Sequence, residues 1–141
     1  MKRPYRVIIA GGREFDDFQM LKEVADYMLS KRDNVEIVSG TARGTARGGD
    51  KLGEKYAKAR GYELEEFPAP WTDVEGKVPH EIGHHKDGRP YWKGAGHYRN
   101  EQMAEYADAA IVFWDGSSKG TRKMIELATV KGLKLKVCQY E

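Results

Sequence analysis

Three short runs of glycine with polar and cationic neighbours hold most of the chemical potential of this chain. The first is Gly11-Gly12-Arg13, the second runs from Ser39-Gly40 to Gly48-Gly49-Asp50, and the third is Gly116-Ser117-Ser118-Lys119-Gly120-Thr121. Glycine lets a backbone approach a bound group closely. A loop that opens a helix also presents amide N–H groups and the positive end of the helix dipole, which together suit phosphate. Arg13, Ser39, Lys119 and Thr121 add charge and hydroxyls to these loops. Residues 41–48 repeat Thr-Ala-Arg-Gly twice, which lengthens the second loop and adds Arg43 and Arg47. Tight turns of any α/β protein use glycine, so one run alone says little. Three runs gathered at one place point to a ligand.

The familiar phosphate motifs are absent. Residues 44–51 lack the G-K-[ST] ending of a P-loop, and no G-x-G-x-x-G follows the first apolar run. His80-Glu81-Ile82-Gly83-His84 spells the zinc-protease pattern H-E-x-x-H, which needs both histidines on one face of a continuous helix. Pro79, Gly83, Gly88 and Pro90 forbid a long helix there, leaving at most casual metal binding by His80, His84 and His85. No resident metal or cofactor is expected. Arg99 and Asn100 follow Gly94-Ala95-Gly96 at a helix start. They are either solvated or aimed at a phosphate or developing anion. Trp71, Tyr91 and Trp92 either stack on a base or form the small core of their own loop.

The pattern around these residues predicts strands that alternate with helices. Residues 6–10 and 109–113 are continuous apolar runs of the kind found in strands buried on both faces. Further strands are expected at 35–38, 62–67 and 134–138. Helices are expected at 16–31, with Asp16 and Gln19 as a capping box, and at 50–60, 97–107 and 121–131. Residues 68–96 hold four of the five prolines and read as a long irregular loop. Right-handed crossovers then give one Rossmann-like α/β domain over residues 1–141: a three-layer sandwich whose five-stranded parallel sheet has the order 3-2-1-4-5. All three glycine runs would lie at the carboxyl ends of the strands, and two of them at the topological switch point.

Bulk properties narrow the class. The net charge is +2, too small to argue for nucleic acid by itself. The single cysteine rules out an internal disulfide and fits a reducing compartment. The apolar run at residues 7–10 is too short for a membrane span or a signal-peptide core, so a soluble cytoplasmic protein without a membrane partner is expected.

Several segments together resemble the YspA-like family of the SLOG superfamily. They are Ile9-Ala10-Gly11-Gly12-Arg13-Glu14-Phe15, Val38-Ser39-Gly40 with Arg47-Gly48-Gly49-Asp50-Lys51-Leu52, Gly94-Ala95-Gly96 with Arg99-Asn100 and Met103, and Lys119-Gly120-Thr121. The superfamily also holds the "lonely guy" cytokinin-activating enzymes, the DNA-processing protein DprA and molybdenum-cofactor carriers. The resemblance implies a Rossmann-like sheet with a nucleotide-type ligand, such as a nucleoside phosphate or an ADP-ribose-like compound, that is sensed, sequestered or processed. It also implies a possible homo-oligomer. In the lonely-guy enzymes an R-x-x-x-M stretch and a G-G-x-G-T-x-x-E stretch serve cleavage of an N-glycosidic bond. Arg99 and Met103 match the first and Gly120-Thr121 the second, but Met124 stands in place of the glutamate. A hydrolase would therefore need a replacement carboxylate beside Arg99, with Asp50, Glu101 and Asp115 as candidates. A third reading, a single-stranded nucleic-acid module, draws on Arg43, Arg47, Lys51, Lys55, Lys58 and Arg60, though acidic residues elsewhere nearly cancel their charge.

Overall fold

A computed structural model describes residues 3–41 and 48–141. Strand β1 (Tyr5–Gly11) buries Val7, Ile8 and Ile9 completely. Its side chains alternate between two apolar layers, because successive residues of a strand point to opposite faces. Helix α1 (Phe18–Leu29) follows and turns Leu21, Ala25 and Leu29 inward. Its cap differs from the expected box: Asp17, not Asp16, is the N-cap, and its carboxylate accepts the Met20 amide at 3.0 Å. One residue of offset decides this, since an N-cap side chain must reach the third amide of the helix.

Strand β2 (Val35–Ser39) leads to helix α2 (Gly49–Arg60), which ends at Gly61 in the left-handed conformation. Strand β3 (Glu63–Glu66) is a largely exposed edge, as its alternating sequence predicts. The segment expected to be an irregular loop carries structure of its own. A 3₁₀ turn at Pro79–Glu81 leads into an antiparallel hairpin of β4 (Ile82–His84) and β5 (Pro90–Trp92). The H-E-x-x-H residues thus lie on a turn and a strand, where the helical spacing of the zinc pattern does not exist. Among the described residues, no group of histidine, cysteine and carboxylate side chains is placed to hold a metal ion.

Helix α3 (Ala95–Tyr106), strand β6 (Ala109–Trp114), helix α4 (Lys119–Val130) and strand β7 (Lys134–Gln139) complete the chain. The large sheet has the order β3-β2-β1-β6-β7, with every neighbouring pair parallel. This is the expected 3-2-1-4-5 once the two hairpin strands are counted, and it is compatible with a Rossmann-like arrangement. Helices α1 and α2 cover one face, packing Leu21, Leu52 and Tyr56 on Val7, Ile9 and Ile37. Helices α3 and α4 cover the other, packing Met103, Met124 and Ala128 on Ile8, Val38 and Val112. Among the described residues, no helix is long and apolar enough to cross a membrane.

Candidate functional site

The five parallel strands end on one side of the sheet, and the loops there enclose a cavity of about 590 Å³. It sits where the connection after β1 leaves towards β2 and the connection after β6 leaves towards β7. That divergence opens a crevice in an α/β sheet.

One side of the cavity is backbone. Gly11, Gly12 and Arg13 come from the loop after β1, and Gly48, Gly49 and Asp50 open α2. The two loops are laced together: Gly48 N–H donates to Phe15 O at 2.7 Å, and Gly49 N–H donates to Gly12 O at 3.3 Å. A Cβ on Gly49 would lie 2.1 Å from Gly11 N and 2.4 Å from the Ala10 carbonyl carbon, so no other residue lets α2 abut β1 here.

Arg99 forms the charged wall. Helix α3 begins two residues earlier than expected, which places Arg99 in its second turn. The guanidinium donates through Nη1 to the Gly40 carbonyl and through Nε to Asn100 Oδ1 at 2.9 Å. Burial pushes the Arg99 pKa down, and the Asp50 carboxylate opposes that shift. A guanidinium remains cationic at neutral pH even so. Gly40 is the hinge of this cluster. A Cβ there would lie 2.9 Å from Arg99 Nη1 and 3.0 Å from Asp50 Oδ2.

The third wall is the start of α4, with Ser118, Gly120 and Thr121 facing the cavity and Met124 behind them. Ser118 is the N-cap but makes no side-chain cap bond; its Oγ lies 3.3 Å from Thr121 Oγ1. The loop before it is fixed from outside the cavity. Trp114 Nε1 donates to Ser118 O at 3.0 Å, and Asp115 accepts the amides of Ser117 at 2.8 Å and Ser118 at 2.7 Å. Those two amides, Ser117 first, hold the Asp115 carboxyl below its ordinary pKa.

The structure thus gathers Gly11, Gly12, Arg13, Gly40, Gly48, Gly49, Asp50, Arg99, Asn100, Ser118, Gly120 and Thr121 around one cavity. Gly116, Ser117, Lys119 and Asp115 lie outside its lining. Ser39 is wholly buried behind the wall, where its Oγ donates to Glu54 Oε2 at 2.7 Å. Glu101 turns away to His97, 3.4 Å distant, on a shallow groove with Trp92 and Tyr98. Of the three candidate carboxylates, only Asp50 faces the cavity.

Thr41, Lys93, His97 and Lys123 also line the cavity, and sequence reasoning did not single them out. Lys123 lies on α4, and Lys93 directly follows the hairpin. Trp71 stands at the cavity beside α3, 43% exposed, with its ring 3.5 Å from where a Gly96 Cβ would be. Its carbonyl accepts the Trp92 amide at 2.8 Å, so the hairpin holds it there. Tyr91 and Trp92 belong to the hairpin and are not in the lining. Arg43 and Arg47 lie outside the described residues. Among the other basic residues of that stretch, Lys51 pairs with Glu54, Lys55 sits over the Phe18 ring, and Arg60 pairs with Asp26. They do not make one free basic face.

The fold is thus an α/β sandwich with a glycine-walled cavity at its switch point, lined among the described residues by Arg13, Lys93, Arg99 and Lys123 and by one carboxylate, Asp50. Residues 5–73 match the family model YAcAr, described as the YspA, cpYpsA-related SLOG family. The matched span carries β1, β2, β3, the first two glycine loops and Trp71. Arg99 and α4 lie beyond it. No curated protein matches the chain.

Proposed function

We propose that the cavity binds a nucleotide or nucleotide-derived ligand, such as a nucleoside phosphate or an ADP-ribose-like compound, for sensing, sequestration or processing. The observation that carries this reading is the cavity wall itself, where, among the described residues, Arg13, Lys93, Arg99 and Lys123 face one carboxylate, Asp50. A part-buried guanidinium in a wall where cations outnumber carboxylates favours an anion. The start of α4 adds helix-end amides, and Trp71 offers a partly exposed ring for a base. The match of residues 5–73 to the SLOG family model supports a nucleotide-related ligand in the same loops.

Thermal melting with nucleotides, deoxynucleotides, NAD and ADP-ribose tests this. A ligand at a hundred times its Kd adds about 2.7 kcal/mol, a Tm shift of roughly 5–10 °C for a domain of this size. Arg99→Ala is expected to abolish the shift in a folded protein. No shift with any member of the panel would sink the reading.

A second reading, hydrolysis of the N-glycosidic bond of a nucleoside monophosphate, is favoured by one observation: Asp50 shares the cavity with Arg99. Water would replace the base at C1′, giving free base and ribose phosphate. Asp50 would stabilise the positive charge that develops on the sugar, in place of the glutamate whose position Met124 occupies. Base released by the wild type and abolished in Asp50→Asn, with binding retained, is the expected signature. Intact ligand recovered from the wild type leaves a binding protein.

A further inference from the structure

We propose that Gly96 is a specificity-determining residue: its missing side chain leaves a notch in the cavity wall, where the base of a nucleoside phosphate packs against the Trp71 ring while the phosphate meets Arg99 Nη2. This rests on the reading of the cavity as a nucleotide site, and it assigns the two ends of the ligand to particular groups of the wall.

Gly96 is the second residue of α3 and lines the cavity. Among the described residues, no neighbour requires glycine there. Its φ lies outside the positive region. A Cβ built on it would lie 3.5 Å from Trp71 Cη2 and 3.8 Å from Arg99 Nη2, which are ordinary van der Waals distances. Other glycines of the chain differ. A Cβ on Gly49 would fall 2.1 Å from Gly11 N, one on Gly83 2.4 Å from the Tyr91 ring, and one on Gly94 2.9 Å from Trp92 Nε1. Glycine in a helix is less favourable than alanine. Packing does not account for it at position 96, whereas room for a ligand does.

The place of the notch says what fills it. Two groups lie against it. One is the six-membered ring of Trp71, which is partly exposed at the cavity. The ring is held there: the Trp71 carbonyl accepts the Trp92 amide, and Tyr91 meets the indole edge-on at 6.3 Å. The other is Arg99 Nη2. Nε donates to Asn100 and Nη1 to the Gly40 carbonyl, which together fix the plane of the guanidinium. Among the described residues Nη2 has no acceptor of its own, and it is not one of the buried unpartnered atoms, so it keeps accessible surface. A flat ring and a fixed cationic donor therefore lie within 4 Å of one point. A base packs on an indole, and a guanidinium N–H binds a phosphate oxygen by a charge-assisted hydrogen bond. In a nucleoside phosphate these two groups are joined by one sugar, so a single such unit reaches both.

The test titrates AMP, GMP and ribose 5-phosphate by calorimetry into wild type, Gly96→Ala, Trp71→Leu and the double variant, and melts each protein without ligand. Wild type is expected to bind at least one of the nucleotides roughly tenfold more tightly than ribose 5-phosphate, and Trp71→Leu to remove that margin. Gly96→Ala should weaken binding of that nucleotide roughly tenfold, but by no more than about threefold once Trp71→Leu is in place, because the methyl group and the ring act on the same base. Without ligand, Gly96→Ala should melt no lower than wild type, since alanine is the better helix former. An unchanged nucleotide Kd in Gly96→Ala, an equal loss with and without Trp71, or ribose 5-phosphate bound as tightly as both nucleotides overturns this inference alone. A lower Tm of unliganded Gly96→Ala would make the glycine a packing requirement and overturns it as well. No binding of any of the three probes by wild type overturns the nucleotide reading and this one with it.

Discussion

At the scale of single residues, the cavity separates glycines that hold the wall from one that leaves it open. Gly40 has Arg99 and Asp50 against it, so a methyl group there must displace one of them. Gly120 has nothing within 4 Å of where its Cβ would be, although it lies in the first turn of α4 and lines the cavity. A side chain at 120 would therefore project into the ligand's volume without disturbing the protein around it. Gly120→Leu is expected to keep or slightly raise Tm, since glycine in a helix costs about 1 kcal/mol against better helix formers. The same variant should lose at least tenfold in nucleotide affinity by filling the cavity. Calorimetry on a variant shown by circular dichroism to be folded checks both halves. Retained affinity would place the ligand elsewhere.

At the scale of elements, the approach of α2 to β1 is the tightest joint of the site. Gly49→Ala would push a Cβ to 2.1 Å from a backbone nitrogen, and backbone cannot swing aside as a flexible side chain can. The expected loss is about 3 kcal/mol or more, read as a fall in the urea midpoint. The same elements show what the sequence discloses. Strands β1 and β6 are legible because both their faces are buried, so they read as unbroken apolar runs. The hairpin is not legible: its strands are three residues long and pair through three positions, too few for any periodicity to show. The start of α4 is misplaced by two residues because Gly120, a helical residue, reads as part of a turn. For the site, the glycine loops could be found because topology alone sends strand ends to one side. The roles of Ser39 and Asp115 could not, since each is decided by a hydrogen bond, to Glu54 or to the amides of its own loop. Lys93 reaches the cavity only through the hairpin, and Thr41 looks like one unit of a repeated tetrapeptide.

At the scale of the whole molecule, the two ends of the sheet divide the work. The cavity occupies the carboxyl end, with the part-buried Arg99 in its wall. The amino end carries a network that fastens the chain. Asp108, just before β6, accepts from Arg3 Nη1 at 2.9 Å and Nη2 at 2.6 Å, and from the Arg6 amide at 2.9 Å. Beside it Tyr106 donates to Glu36, and burial, then that carboxylate, pushes the tyrosine pKa up to about 12. Burial alone would raise the Asp108 pKa, but the Arg3 and Arg6 hydrogen bonds outweigh it and hold the carboxyl below its ordinary value. On one helical face, Asp26 is held low in the same direction, first by Arg60, against its own desolvation. A carboxyl with a depressed folded pKa binds fewer protons in the native state than in the unfolded chain. Its contribution is therefore complete above the unfolded value of about 3.9 and is lost as pH falls through the folded pKa. Stability should be level with respect to these groups near neutrality and fall below about pH 4. Asp108→Asn is expected to cost about 1 kcal/mol at pH 7 and to make the fall below pH 4 shallower. It should leave nucleotide affinity unchanged, because Asp108 lies at the opposite end of β6 from the cavity. Urea melts of both proteins at pH 7 and pH 3, paired with ADP-ribose titrations at pH 7, read all three quantities. An affinity loss in Asp108→Asn would mean that the two ends of the sheet are coupled and that stability and binding cannot be assigned to them separately.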